Sequence, residues 1–188
     1  VLQRCAILVS RMALTMPPPM FHDMVRATAS WPDLCRRLIS TSATLSLARS
    51  RKLVALGLAH MLRHASAQDK GLLSAVPDMI GMWTEVVGEV VEDEAGSADR
   101  YERELSPTRA LEIGEDGIPF LDEFGLIEAA PTPSSARTDA VRSRDPSFNV
   151  PLRAYVADTL NAVLQNGSYK TQLQSLLATI DPLVLDTL

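Results

Sequence analysis

The sequence predicts an all-α protein, an α-solenoid of antiparallel helical hairpins with a long acidic loop insertion. Apolar residues recur at spacings of three and four in successive segments of helical length, and proline or glycine turns separate those segments. The periodicity is lost between Glu94 and Asn149 and then returns. Helices of this length seldom hold alone, so stacking of neighbouring hairpins is expected to bury their apolar stripes.

Length and composition allow a sizeable core. The 188 residues are 46% hydrophobic and 22% charged, as in a typical globular domain. No apolar run reaches the roughly 18 residues of a membrane-spanning helix, and the opening segment lacks the leader and cleavage site of a signal peptide. Val1 opens directly on an amphipathic pattern, which indicates a piece of a longer protein. Cys5 and Cys35 lie within helical patterns, which favours a reducing compartment over a disulfide.

Charge is strongly segregated along the chain. Residues 85–128 contain fourteen acids against three arginines, a net of −11, so the other residues carry +6 of the total of −5. Such a tract repels nucleic acid locally and attracts basic protein segments.

The amino-terminal part predicts three helices. Pro17 to Pro19 separate the first from the second because proline lacks the backbone donor. Ser30 is expected to cap the third helix, with Pro32 in its first turn, and Ser10 is expected outside the first apolar stripe. The three core-facing stripes are Leu2, Ala6, Val9, Ala13 and Met16; Phe21, Met24, Val25 and Thr28; and Leu34, Cys35, Leu38 and Ile39.

Two further helices are predicted from about Leu47 to His64 and from Pro77 to about Val91, with a turn at Gly71 between them. A glycine in a helix interior, such as Gly57, destabilises the helix by about 1 kcal/mol relative to alanine. Close contact with a neighbouring helix is therefore the expected reason for it. The first helix should turn Leu53, Leu56, Gly57, Met61 and Leu62 inward and Arg49, Arg51, Lys52 and Arg63 outward. The buried stripe of the second is Met79, Ile80, Trp83, Val86, Val87 and Val90.

The loss of periodicity divides the chain into HEAT-like repeats at 1–93, an acidic insertion that is largely loop at 94–149, and a closing helical hairpin with a final turn at 150–188. Within the insertion, the apolar segment 118–127 either packs back on the helices or docks another protein. No sequence repeat is visible, so an irregular helical bundle stays open as an alternative. The first closing helix is expected to end at Asn166 and Gly167, Ser168 to cap the second, and a last turn to begin at Asp181. The apolar stripes of the two helices are Leu152, Tyr155, Val156, Leu160, Val163 and Leu164, and then Tyr169, Leu173, Leu176, Leu177 and Ile180.

No catalytic, cofactor or metal site is expected. His60 and His64 share a helix face, but they lack the adjacent glutamate of a metalloprotease motif, which favours a surface or helix-terminal role. Cys35 falls on a core stripe, where a thiol is usually inert. Gly114 to Gly117 would present carboxylates where a phosphate-binding loop presents amides and a lysine.

Charged clusters are the remaining candidates. A basic patch of Arg36, Arg37, Arg49, Arg51 and Lys52 lacks the charge and interleaved aromatics of a nucleic-acid site, so a solvated surface is favoured and no direct nucleic-acid partner is expected. Acids near the end of the Pro77 helix oppose its dipole and should fray it into the loop. The candidates for contact with a basic partner are Glu89, Glu92, Asp93, Glu94, Glu115, Asp116, Asp122 and Glu123.

Four segments together resemble the carboxyl-terminal HEAT repeats of importin-β-type nuclear transport receptors, the karyopherins, and within them the importin-11-like group. They are residues 51–58 (RKLVALGL), residues 82–85 (MWTE) running into the acidic insertion, residues 145–150 (DPSFNV), and residues 180–182 (IDP).

The resemblance implies a non-enzymatic protein-binding segment of a superhelical receptor that carries cargo through nuclear pores, between cytoplasm and nucleus, under control of Ran-GTP. The implied partners are protein cargo, with basic cargo suited to the acidic loop, nucleoporins, and Ran bound through repeats outside this sequence. From the residue pattern itself, no cofactor and no membrane partner are expected. The alternative is a helical-repeat scaffold subunit of a cytoplasmic assembly unrelated to Ran.

Overall fold

A computed structural model describes residues 1–69, 71–96, 144–165 and 169–187. Throughout these residues the regular structure is helical, and they contain no strand, which confirms the all-α prediction. The chain divides into two compact units, Val1–Val90 with Pro146–Leu188, and Val91–Asp145. The described hydrophobic core lies in the first unit.

The described helices follow one another in chain order, and a short 3-10 helix, Leu73–Ala75, precedes the fifth. They are α1 (Leu2–Thr15), α2 (Pro18–Thr28), α3 (Trp31–Ser42), α4 (Ala48–Arg63), α5 (Val76–Gly96), α6 (Pro146–Asn149), α7 (Leu152–Gln165), α8 (Lys170–Leu177) and α9 (Pro182–Asp186).

Helix α4 lies at the centre of the first unit. It contacts α1, α3, α6 and α7, and the indole Nε1 of Trp83 on α5 donates to the Ala55 carbonyl at 3.0 Å. A helix surrounded in this way needs apolar residues on every side, and α4 has them throughout residues 53–59. The predicted single inward stripe was therefore incomplete. Lys52, expected outward, is only 6% exposed.

Helices α1 and α4 approach each other closely at Gly57. A Cβ atom there would lie 2.9 Å from the Ser10 Cβ and 3.0 Å from the Ser10 Cα, which confirms the predicted close contact.

The buried face of α1 is rotated about the helix axis from the predicted apolar stripe, since Leu2 is 71% exposed and Ser10 is buried. Small residues, Ala6, Ser10 and Ala13, form the buried face. The Ser10 hydroxyl donates to the Ala6 carbonyl at 2.8 Å, so its burial leaves no polar group unpaired.

Helices α2 and α3 bury four of the eight residues predicted for their stripes, and Met24, Leu34 and Ile39 are partly buried against the core. Their buried apolar residues are Phe21 and Val25 on α2 and Trp31, Cys35 and Leu38 on α3. Thr28, predicted in the stripe, is exposed.

The predicted side-chain cap at Ser30 is wrong. Pro32 does lie in the first turn of α3, but the Ser30 side chain makes no capping bond. The backbone carbonyl of Ser30 accepts from the Leu34 N–H at 2.9 Å, and its side chain remains exposed.

Helix α5 has the predicted buried stripe, but it ends later in the chain than predicted. Met79, Ile80, Trp83, Val86 and Val87 are all buried. The helix continues to Gly96, so the expectation that its acids fray it from about Val91 was wrong. An acid near a helix end costs only about 0.3–1 kcal/mol, and the burial of Val86 and Val87 stabilises the helix before that end.

The closing hairpin pairs α7 with α8. Leu152, Val156, Leu160 and Val163 are buried as predicted, and Asp181 Oδ1 accepts from the Leu183 N–H at 2.9 Å to begin α9. The predicted stop and cap at residues 166–168 and most of the predicted acidic loop lie outside the described residues.

Candidate protein-binding surface and buried polar centre

Two glutamates of α5 are held by one arginine of α4. Arg51 Nη2 lies 3.2 Å from Glu85 Oε2, and Arg51 Nη1 pairs with Glu89 Oε1. The Arg51 side chain is 14% exposed, whereas those of Glu85 and Glu89 are 68% and 38% exposed. The half-buried cation therefore fixes two carboxylates on the outer face of α5. We call Arg51, Glu85 and Glu89 the carboxylate clamp.

The clamp contains one of the predicted acidic candidates. Glu89 lies in it, and Glu92, Asp93 and Glu94 lie on the helical backbone of α5. The other four candidates fall outside the described residues: Glu115, Asp116, Asp122 and Glu123.

Sequence reasoning did not select Glu85 or its pairing with Arg51. The signal present in the sequence is the spacing of four between Glu85 and Glu89, which places both on one helix face. The pairing itself depends on how α4 and α5 dock, since 34 residues separate Arg51 from Glu85.

Two exposed glycines flank Glu85 on the same side of α5. Gly81, Glu85 and Gly88 follow a helical spacing of four and three. A Cβ atom added at Gly81 or Gly88 would meet nothing within 4 Å. Unlike Gly57, these glycines leave open space beside the clamp, where a partner backbone could approach closely.

The predicted solvated basic patch is wrong for α4. Arg49 Nε donates to Ser147 Oγ at 2.9 Å, and its guanidinium stacks over the Phe148 ring. Arg51 belongs to the clamp, and Lys52 is buried. Arg49 and Arg51 thus join helices within the chain. On α3, Arg36 is exposed and pairs with Asp33 at 3.0 Å.

A second polar cluster surrounds the buried carboxylate of Asp69. Oδ2 accepts from His22 Nδ1 at 2.9 Å, from the Ser66 N–H at 2.7 Å and from the Ser66 hydroxyl at 2.9 Å. Oδ1 accepts from the Trp31 indole at 3.0 Å and lies 3.2 Å from Arg26 Nε. One carboxylate thereby joins α2, α3 and the segment that follows α4.

The hydrogen bonds keep the Asp69 carboxylate charged. Burial would raise its pKa, but the bonds from Ser66 and His22 outweigh burial and hold the pKa below its usual value. The hydroxyl of Tyr169 donates to the Ser66 carbonyl and ties the start of α8 to the same cluster. Sequence reasoning missed this centre. The spacing of three between Ser66 and Asp69 is a signal of local hydrogen bonding that could have suggested it.

The described residues offer little for catalysis. Burial raises the pKa of the Cys35 thiol to about 12, which fits the predicted inert core thiol. Among the residues that the structure describes, no three potential metal ligands converge, and no helix is long and apolar enough to cross a membrane.

The stacked helices and their surface-held carboxylates define a helical-repeat protein with surfaces suited to protein partners. A family model described as "Importin-11-like, TPR repeats" matches residues 1–188. The chain belongs to this importin-11-like family of nuclear transport receptors, and the predicted resemblance is confirmed. The family description names TPR repeats where the sequence suggested HEAT-like ones; both are stacked helical hairpins. Neither the curated proteins nor the solved structures gave a significant match.

Proposed function

We propose that this chain is a non-enzymatic protein-binding segment of a nuclear transport receptor that carries cargo through nuclear pores under control of Ran-GTP. Membership of the importin-11-like family supports the transport role. In this proposal Ran-GTP binds other parts of the protein, nucleoporins are further partners, and the receptor moves between cytoplasm and nucleus.

The carboxylate clamp is the observation that supports basic cargo. Arg51 uses one oxygen of each glutamate, and the other oxygens of Glu85 and Glu89 have no partner among the described residues. A lysine or arginine of a partner can bond to carboxylates that are already ordered, which lowers the entropy cost of binding.

Exposed ion pairs are individually weak, about 0–1 kcal/mol. A cargo segment therefore needs several of them, and we propose that Glu92, Asp93, Glu94, Glu115, Asp116, Asp122 and Glu123 supply further acidic contacts for basic cargo. The open space at Gly81 and Gly88 lets the cargo backbone come close to α5.

The double substitution Glu85→Gln with Glu89→Gln is expected to weaken binding of a labelled Lys/Arg-rich peptide roughly three- to tenfold, since two exposed charge contacts are lost. Fluorescence anisotropy at about 0.15 M salt measures the change.

The matched control is Asp23→Asn with Asp33→Asn, which changes net charge equally on the exposed faces of α2 and α3. It should leave peptide affinity within about twofold. Equal weakening by both double variants would show that general charge, rather than the clamp, attracts the peptide.

A further inference from the structure

Two histidine rings lie side by side at the end of α4. The spacing of four residues places His60 and His64 on one helix face, and the centroids of their rings are 4.5 Å apart. His64 is exposed and follows the last residue of the helix, whereas His60 is half-buried. The pair therefore presents two imidazoles at the boundary between the helix and solvent.

The glutamate that this pair lacks is not a metal ligand. In the metalloprotease motif two histidines at this spacing hold the metal, and the glutamate acts as the general base. The position after His60 is Met61, which excludes that base and its chemistry. The two imidazoles that would bind a metal are both present.

The separation of the rings suits a metal with ligands at right angles. At a metal–nitrogen distance of about 2.0–2.1 Å, two imidazoles on one metal have centroids about 4.5 Å apart at 90° and about 5.2 Å apart at the tetrahedral angle. The observed separation of 4.5 Å matches the right angle. Neighbouring ligands at right angles occur in tetragonal sites, which are typical of Cu²⁺ and Ni²⁺.

Tyr155 of α7 holds the His60 ring from the other side. Its hydroxyl is 2.8 Å from His60 Nδ1, and a tyrosine hydroxyl can donate or accept this hydrogen bond. When Nε2 of His60 binds a metal, Nδ1 carries the ring proton and donates to the Tyr155 oxygen. Partners of this kind orient the metal-binding histidines of proteins. Tyr155 is therefore a positioning residue, 95 positions from His60 in the chain.

The surrounding charges weaken a metal site here without preventing it. Burial is the largest cause that lowers the pKa of both rings, to about 4 for His60, so a metal need not displace a proton at pH 7.5. Arg63 repels a metal ion, but it is exposed, so water and salt screen the repulsion. With two protein ligands and water for the rest, we expect weak, exchangeable binding.

We propose that His60 and His64 form a binding site for a divalent transition metal, with Ni²⁺ and Cu²⁺ favoured by the ring separation and Tyr155 positioning His60. The bound metal joins the last turn of α4 to the ring that contacts α7. The site goes beyond the proposed cargo binding, and it shares no residue with the carboxylate clamp.

Calorimetric titration of the whole chain with Ni²⁺ at pH 7.5 tests the site. The chain carries Cys5→Ser, because the exposed Cys5 thiol is itself a ligand for such metals. One ion is expected to bind per chain, with a dissociation constant in the micromolar range. The paramagnetic ion should broaden the side-chain NMR signals of His60 and His64 much more than that of His22, the third histidine of the sequence.

Two variants separate the ligands from the positioning residue. His64→Asn leaves a single imidazole and is expected to weaken Ni²⁺ binding roughly 100-fold, since the second ligand no longer binds at high effective concentration. Tyr155→Phe removes the hydroxyl that orients His60 and should weaken binding about tenfold. Tyr169→Phe is the matched control, because it also removes a hydrogen bond between distant parts of the chain. It should leave the affinity within about twofold.

Three results would overturn the site: no Ni²⁺ binding, undiminished binding in His64→Asn, or broadening of the His22 signal as strong as that of His60. Equal weakening by Tyr155→Phe and Tyr169→Phe would contradict the positioning role of Tyr155, since a general loss of packing would then explain both.

Discussion

Replacing Asp69 by alanine is expected to lower the free energy of unfolding by about 3–5 kcal/mol. The substitution removes the shared acceptor and leaves the His22 ring, the Trp31 indole and both donors of Ser66 without it. Buried donors that lose their partner retain the full cost of leaving water. Urea unfolding followed by tryptophan fluorescence measures the change, with Trp31 reporting directly from the cluster.

The effect of Asp69→Ala should depend on pH in a defined direction. Because the hydrogen bonds hold the Asp69 pKa below its usual value, the carboxylate stabilises the fold above the unfolded pKa of about 3.9. The contribution is lost as the pH falls through the folded value, so the difference between the variant and the unsubstituted chain should shrink below about pH 4.

Asp33→Ala is the control for Asp69→Ala. Asp33 is exposed, and its ion-pair partner among the described residues is the exposed Arg36, so its loss should change stability by about 0.5 kcal/mol or less. A cost below about 1 kcal/mol for Asp69→Ala at pH 7 would contradict a structural role for the cluster.

Gly57→Val is expected to lower the free energy of unfolding by about 3 kcal/mol. Its Cβ alone would lie 2.9 Å from the Ser10 Cβ and 3.0 Å from the Ser10 Cα. Relief requires backbone movement of α1 against α4, since the Ser10 Cα cannot rotate away. The same urea titration measures the loss, and hydrogen exchange should locate it in α1 and α4.

Gly81→Val provides the matched control on α5. A Cβ atom added at Gly81 meets no heavy atom within 4 Å, and valine has a better helix propensity than glycine by a few tenths of a kcal/mol. The control should therefore be neutral or slightly stabilising. Equal destabilisation at both positions would mean that valine itself, and not the approach of α1 to α4, is responsible.

The sequence predicted the buried face of helices that pack on one side only. It did not predict the packing of a helix that has neighbours on every side. On α5 and α7 a single apolar stripe faces the core, and the spacing of residues such as Trp83 and Val156 identifies it directly. Helix α4 is apolar on all sides over residues 53–59, so its pattern cannot show which helix lies on which side. The burial of Ser10 follows from its contact with Gly57, which depends on the docking of two helices.

The sequence predicts the candidate site only where residues close together in the chain define it. The acidic character of α5 around Glu89 is visible in the sequence, as is the turn at Gly71, where the backbone has φ of 85°. The partner of Glu89 is Arg51, and the donors to Asp69 include Trp31, 38 residues earlier in the chain. Such pairs form only when distant helices dock, and no residue spacing specifies them.

The most direct measurement of the proposed function is a binding assay on the full-length protein that contains this chain, immobilised with its bound basic cargo. Ran loaded with GTP or with GDP is added, and both Ran capture and cargo release are quantified. A transport receptor should capture the GTP form selectively and release the cargo. Binding that does not depend on the nucleotide, with cargo retained, would contradict the transport role and favour a scaffold subunit of a cytoplasmic assembly.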